Sequence, residues 1–230
     1  MPGLRLRQFF ARRLSVTETV AVILCLGLLA GAGYGVYQYV SARILESRVR
    51  SAIPILCGEA RKQRAAIVKA IEAYHAQFRS YPPDNVLNRQ PVMIDPVTNT
   101  LIYELSGTVF NPANGRVQVC GLEPADVAFV TNFLHCALFR NLARTPGDLK
   151  SFLSREDAQW RQLHDDPDVF VLAFNATRTE VPSELVWELN LGSWRYVSTA
   201  PTNNPGKFDL WMDIKYRDST VTIGNWKSAD

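Results

Sequence analysis

One stretch constrains this chain before any other. Thr19 to Val40, TVAVILCLGLLAGAGYGVYQYV, runs 22 residues without a formal charge. As a helix rising about 1.5 Å per residue it would reach roughly 33 Å, the thickness of a bilayer core. Arg5, Arg7, Arg12 and Arg13 lie ahead of it, and the first thirteen residues contain no acid. That block predicts an N-terminus on the cytoplasmic side and a single pass over about residues 19–40. Arg43, Arg48 and Arg50 on the far flank, against Glu46 alone, weaken the bias without reversing it.

A cleavable secretory signal is the rival reading, with Val20–Leu29 as its apolar core and Ala30-Gly31-Ala32 as its cleavage triplet. The apolar run continues past the triplet through Val36, Tyr37 and Val40, which favours an uncleaved anchor. Within the run Gly27, Gly31 and Gly35 recur every four residues and leave one helix face bare. Such a face suits either ordinary membrane-helix composition or close helix–helix approach.

The formal charge of +3 belongs to the leader. Residues 14–230 carry 21 Lys+Arg against 22 Asp+Glu, and residues 81–230 carry 13 against 18. The sequence pI of about 8.7 is therefore no argument for nucleic acid. With 47% hydrophobic and 20% charged residues, the composition excludes a polytopic membrane protein and a disordered chain.

The segment LSVTETVAVILCLGLLA, Leu14 to Ala30, resembles the N-terminal helix of type IV pilins and of the pseudopilins of type II secretion. The family's apolar first residue, its glutamate four positions on and its later glycine correspond to Leu14, Glu18 and Gly27. Where the family's leader ends in glycine, this chain has Arg13, so the basic leader, residues 1–13, is expected to stay attached ahead of Leu14. The resemblance implies that the Glu18 carboxylate meets the α-amine of a neighbouring subunit during assembly. The plainer reading is that Glu18 snorkels to an interface. The resemblance also implies helix packing through Gly27, Gly31 and Gly35.

From Ser41 to Arg79 the chain favours helix, interrupted by Pro54, which should kink rather than end it. Leu56, Ala60, Ile67, Ile71, Tyr74 and Phe78 make one apolar stripe that must pack on a following domain. Ser80-Tyr81-Pro82-Pro83-Asp84 stops the helix. The segment AIEAYHAQFRSYPPDN, Ala70 to Asn85, is also similar to pilin-like proteins, where a helix ending in an aromatic gives way to a tyrosine–proline turn. The expected organisation is a long helix over 14–80 and a globular head over 81–230.

In the head, Asp95-Pro96 is expected to open a helix bearing Leu101, Ile102 and Leu105 that stops at Gly107. Glu123-Pro124 should lead another, with Val127, Val130, Phe133, Leu134, Ala137 and Leu138. Thr145-Pro146-Gly147-Asp148 should start a third, and Ser154 with Asp157 a short fourth. Asp168–Asn175, Glu184–Leu189, Phe208–Tyr216 and Ser219–Trp226 read as strands, the last two joined as a hairpin at Asp218. The fold class is α+β: a long N-terminal helix on a C-terminal antiparallel sheet, with a helical insertion between. Asp209-Leu210-Trp211 resembles the Asp-x-Trp segment before the last pseudopilin strands.

No catalytic signature stands out. His75, His135 and His164 lack ligand spacing with the cysteines, and His164-Asp165-Asp166 reads as a solvated charge run. No phosphate loop or nucleophile elbow is present. No cofactor is expected. Some pseudopilins bind calcium in their C-terminal loops, and Asp209 and Asp213 are the carboxylates nearest that place, though no run of calcium ligands accompanies them. Cys25 lies in the apolar run. Of Cys57, Cys120 and Cys136, the pair Cys120–Cys136 is preferred for a disulfide because both belong to the head, although sequence does not determine connectivity.

The resemblance implies a non-enzymatic structural subunit of a type II secretion or type IV pilus-like assembly. Its implied partners are other pilin-like subunits, an inner-membrane assembly platform and the membrane, with no nucleic acid. Its implied location is the inner (cytoplasmic) membrane, the head in the periplasm. The alternative is a single-pass, membrane-anchored periplasmic binding protein that does not polymerise.

Overall fold

A computed structural model of the chain describes residues 16–119, 122–154, 159–165, 168–176, 179, 181–182 and 191–226. The protein is mixed α+β, with one long N-terminal helix and several small sheets. It divides into two units, Met1–Arg50 and Ser51–Asp230.

Helix α1 spans Val16–Phe78, close to the expected bounds, and runs through Pro54. Pro54 is exposed, so water can satisfy the backbone carbonyl that its missing N–H leaves free. Within the first unit the helix surface is laced at four-residue spacing. Gln38 donates to the Tyr34 hydroxyl at 2.8 Å, Arg43 to the Tyr39 hydroxyl at 3.2 Å, and Arg50 to Glu46 at 2.8 Å. Such exposed pairs are each worth a few tenths of a kcal/mol.

The second unit shows why the stripe on α1 exists. Leu56, Ala60, Ile67, Ile71 and Tyr74 are at most 1% exposed. Burying the large ones contributes about 2 kcal/mol each. Tyr74 and Phe78 pack on Phe152 with ring centroids 5.5 and 5.9 Å away. Polar ties add direction to this packing. The Gln63 amide closes a two-way clamp on the Asn175 backbone, donating to its carbonyl at 2.8 Å and accepting its N–H at 2.9 Å. Arg64 donates to the Gly224 carbonyl at 2.5 Å.

Past the tyrosine–proline turn come β1 (Val86–Arg89) and β2 (Val92–Ile94), an antiparallel pair, and then α2 (Leu101–Ser106). Strands β3 (Thr108–Asn111), β4 (Arg116–Val119), β5 (Ala125–Asp126) and β6 (Leu142–Ala143) form a sheet ordered β5-β4-β3-β6. Helix α3 (Val127–Phe133) sits between β5 and β6 in the chain. Strands β7 (Gln159–Asp165) and β8 (Asp168–Ala173) pair antiparallel. The last sheet is β11-β10-β9, from β9 (Arg195–Val197), β10 (Asp209–Tyr216) and β11 (Ser219–Gly224). Leu210, Met212 and Ile214 alternate inward along β10, as a period of two requires. The β10–β11 hairpin turns at Arg217-Asp218, with Arg217 at φ 51°.

Several expectations need correction. Among the described residues the expected helical insertion holds one seven-residue α-helix among short strands. Asp95-Pro96 does not open a helix: the Asp95 carboxylate accepts the Val97 N–H, and the helix waits until Leu101. Glu123-Pro124 leads into β5, and Asp126 caps α3 by accepting the Phe129 N–H at 2.8 Å. That helix ends at Phe133, with His135 at φ 47°, so Leu138 is 51% exposed instead of packing on the helical face. Pro146–Asp148 makes a single 3-10 turn. The charge run at His164 and Asp165 belongs to β7 and not to a loop. Asp157, Asp166 and the strand expected at 184–189 lie outside the described residues.

The membrane crossing is also corrected. Among the described residues no helix is long and apolar enough to cross a membrane, which removes the single-pass inner-membrane location and the periplasmic head derived from it. Freedom from formal charge misled the reading. Gly31, Gly33, Gly35, Tyr34, Tyr37, Tyr39 and Gln38 crowd the second half of the stretch, and they contribute little transfer free energy toward hydrocarbon.

Gly107 stops α2 as expected, at φ 80° and ψ 151°, a region essentially closed to other residues. A Cβ there would lie 2.4 Å from Leu149 Cδ2 and 3.0 Å from the Lys150 carbonyl oxygen. Gly107→Ala is expected to cost about 2 kcal/mol or more through backbone strain and this clash. Thermal denaturation reads the loss, and an unchanged midpoint would show that the turn relaxes freely.

Candidate assembly face

Among the described residues, most of the exposed large apolar side chains lie on α1. Val20, Leu24, Leu29, Tyr34, Val36, Tyr37, Tyr39, Val40 and Ile44 are all between 46% and 69% exposed. Gly27, Gly31 and Gly35 are exposed too, and a Cβ added at any of them would meet nothing within 4 Å. Residues four apart share a helix face, so the three glycines form a shallow track along a surface otherwise studded with large apolar side chains. Contiguous apolar surface of this kind marks an interaction site more often than free solvent-facing helix.

The other expected site residues fare differently. Glu18 falls on α1, but its side chain lies outside the described residues, as do Arg13 and Leu14 entirely. Cys120 is outside them as well. The expected Cys120–Cys136 pairing therefore falls outside the described residues; Cys136 itself carries a free thiol, which burial pushes up to about 12. Cys57 is likewise free and buried, with its thiol raised by burial against a smaller opposing pull from Arg61. Thiols held protonated in this way are poor nucleophiles.

The C-terminal carboxylates are committed to structure. Asp209 is 3% exposed and accepts the backbone N–H groups of Thr202, Asn203 and Asn204 at 2.8 to 2.9 Å, so it holds the 202–204 loop itself. Asp213 pairs with Arg195 and accepts from the Thr222 hydroxyl. Among the described residues no group of three or more His, Cys, Asp or Glu side chains could hold a metal ion.

Sequence reasoning missed a tightly organised polar cluster of the head. Glu104, on α2, is 0% exposed. Its Oε1 accepts the Arg140 N–H at 2.9 Å, and its Oε2 accepts the Asn141 N–H at 2.9 Å and the Tyr74 hydroxyl at 3.0 Å. Burial raises the Glu104 carboxyl above the ordinary carboxylate range, while the two backbone N–H groups, Tyr74 and the Arg140 charge pull it back. The arrangement ties α1, α2 and the chain entering β6 to one carboxylate. A signal for it was present: a lone acid inside the apolar run Leu101-Ile102-Tyr103-Glu104-Leu105. Asp84 does a similar service, accepting from Ser198 and Thr199 at 2.6 to 2.8 Å.

The chain matches no protein-family model, no curated protein and no solved structure.

Proposed function

We propose that this chain is a structural, pilin-like subunit of the pseudopilin kind. It would act by packing the exposed part of α1 against neighbouring pilin-like subunits, while the head supplies selectivity through surface contacts. The supporting observation is the division of labour along one helix. From Leu56 to Tyr74 its apolar stripe is consumed by the head, whereas from Val20 to Ile44 its apolar side chains and glycine track remain uncovered. A helix needs no such surface for its own head, and covering it with equivalent helices would remove large apolar area from water. The register of Leu14, Glu18 and Gly27 supports the same reading, and no catalytic role enters it. The membrane crossing is not part of the proposal.

Co-expression with candidate pilin-like partners tests it. The chain is expected in sheared or extracted filaments, and Gly31→Cys is expected to crosslink to a neighbouring helix. Gly31→Leu should block close approach and abolish most of the co-assembly while leaving the thermal midpoint of the head unchanged. A chain that stays monomeric and forms no crosslink overturns the proposal.

A further inference from the structure

A second surface concerns the head alone and does not rest on the assembly reading. On the β3–β4 sheet, Asn111 lies opposite Arg116 and Val109 opposite Gln118, so these four side chains share the solvent face while Val117 and Val119 point inward. Together with Arg144, just past β6, they line a recess of about 390 Å³ walled by Pro112 and Pro124. That volume is within the range of small-ligand sites.

The donors and acceptors in this recess are unbalanced. Asn111 Oδ1 accepts the Ala113 N–H at 3.0 Å, and Asn114 Oδ1 accepts the Arg116 N–H at 3.1 Å. A backbone N–H can only donate, so it fixes which end of each amide is oxygen, and neither NH₂ group has a partner among the described residues. The turn that carries them is held by backbone hydrogen bonds on both sides of Gly115. Gly115 at φ 67° donates to the Asn111 carbonyl at 3.0 Å, and the Gly115 carbonyl accepts the Val127 N–H at 3.0 Å. Neither the Arg116 nor the Arg144 guanidinium has an ion pair or hydrogen bond among the described residues. Asp126, opposite Arg116 across β4–β5, spends its Oδ1 on capping α3 and does not line the recess. Two guanidiniums and two amide NH₂ groups thus line one recess that no carboxylate lines. Two guanidiniums without an ion pair among the described residues are the more telling because residues 81–230 carry 18 acids against 13 bases.

We propose that this recess binds a small oxyanion-bearing ligand, a carboxylate or phosphate compound, between Arg116 and Arg144 with Asn111 and Asn114 donating alongside. Planar guanidinium forks match the oxygen geometry of both groups, and charge-assisted hydrogen bonds to them are about twice as strong as neutral ones.

Calorimetric titration of the full chain with inorganic phosphate, and separately with citrate, tests the site. Saturable one-site binding is expected with at least one probe. Arg116→Ala and Arg144→Ala should each weaken it about tenfold or more. Lys207→Ala, an exposed cation elsewhere on the head, should leave it unchanged. A preference for citrate supports the proposal with a carboxylate ligand, and a preference for phosphate supports it with a phosphate ligand. Lack of saturable binding by both probes overturns the proposal. So does wild-type affinity in the two arginine variants, or an equal loss in Lys207→Ala, which would mark general charge attraction. All three side chains are exposed, so thermal midpoints of the variants should match wild type and confirm folding.

Discussion

Glu104→Leu is expected to lower unfolding stability by about 3–6 kcal/mol, a large share of what a domain of this kind possesses. The side chain is wholly buried and is the shared acceptor for the Arg140 N–H, the Asn141 N–H and the Tyr74 hydroxyl. Leucine fills similar space but accepts nothing, so three buried donors lose their partner, at about 1–3 kcal/mol each before relaxation. Tyr74→Phe removes one donor and leaves the acceptor with two others, so its cost should be nearer about 1 kcal/mol. The ratio between the two variants is the diagnostic result in denaturant titrations. Equal small losses would show that water reaches the carboxylate. The pH dependence has a definite sign. Burial raises the folded carboxyl above its unfolded value, so its contribution is whole below the ordinary carboxylate range and is lost as pH climbs through the raised value. In Glu104→Leu that part of the slope should vanish.

Ile71→Asp should be nearly as damaging. Ile71 is 0% exposed in the middle of the stripe on α1. The substitution removes about 2 kcal/mol of apolar burial and places a carboxylate inside a buried apolar stripe, so either the charge is desolvated or a proton must be taken up. A loss of several kcal/mol follows, partly relieved at acid pH where the new carboxyl is neutral. Denaturant midpoints measured near pH 7 and near pH 4 should therefore converge relative to wild type. A midpoint unchanged at both values would show that this face of the helix is wet.

Much of the architecture was legible because it repeats. The helix stripe has a period near 3.6 over six positions, and β10 alternates inward and outward, so local pattern and final burial agree at Leu56, Ile67, Ile71, Leu210, Met212 and Ile214. The stops at Ser80–Asp84 and Gly107 were legible for a similar reason. Proline and glycine act through backbone sterics that depend little on distant neighbours.

The middle of the head was not legible. Asp95-Pro96 and Glu123-Pro124 carry helix-start chemistry, yet the Asp95 oxygen serves a local turn and Asp126 is the cap that α3 uses. Strands β3 to β6 have two to four residues each, too short for any period to show. Their existence depends on pairing partners up to thirty-four residues away, as in Thr108 with Leu142. The apolar run at 19–40 was over-read because absence of charge is a weaker property than high transfer free energy.

By itself the sequence determined the long helix, its stripe, its stop, and the terminal hairpin, all features set within one or two turns or one strand pair. Only tertiary structure decided where the polar side chains went. It placed Glu104 among three donors, turned Asp209 onto its own loop, and brought Arg116 and Arg144 to one recess. The physical reason is that hydrogen bonds and charges act over a few ångströms in space, between residues whose separation along the chain carries no periodic trace.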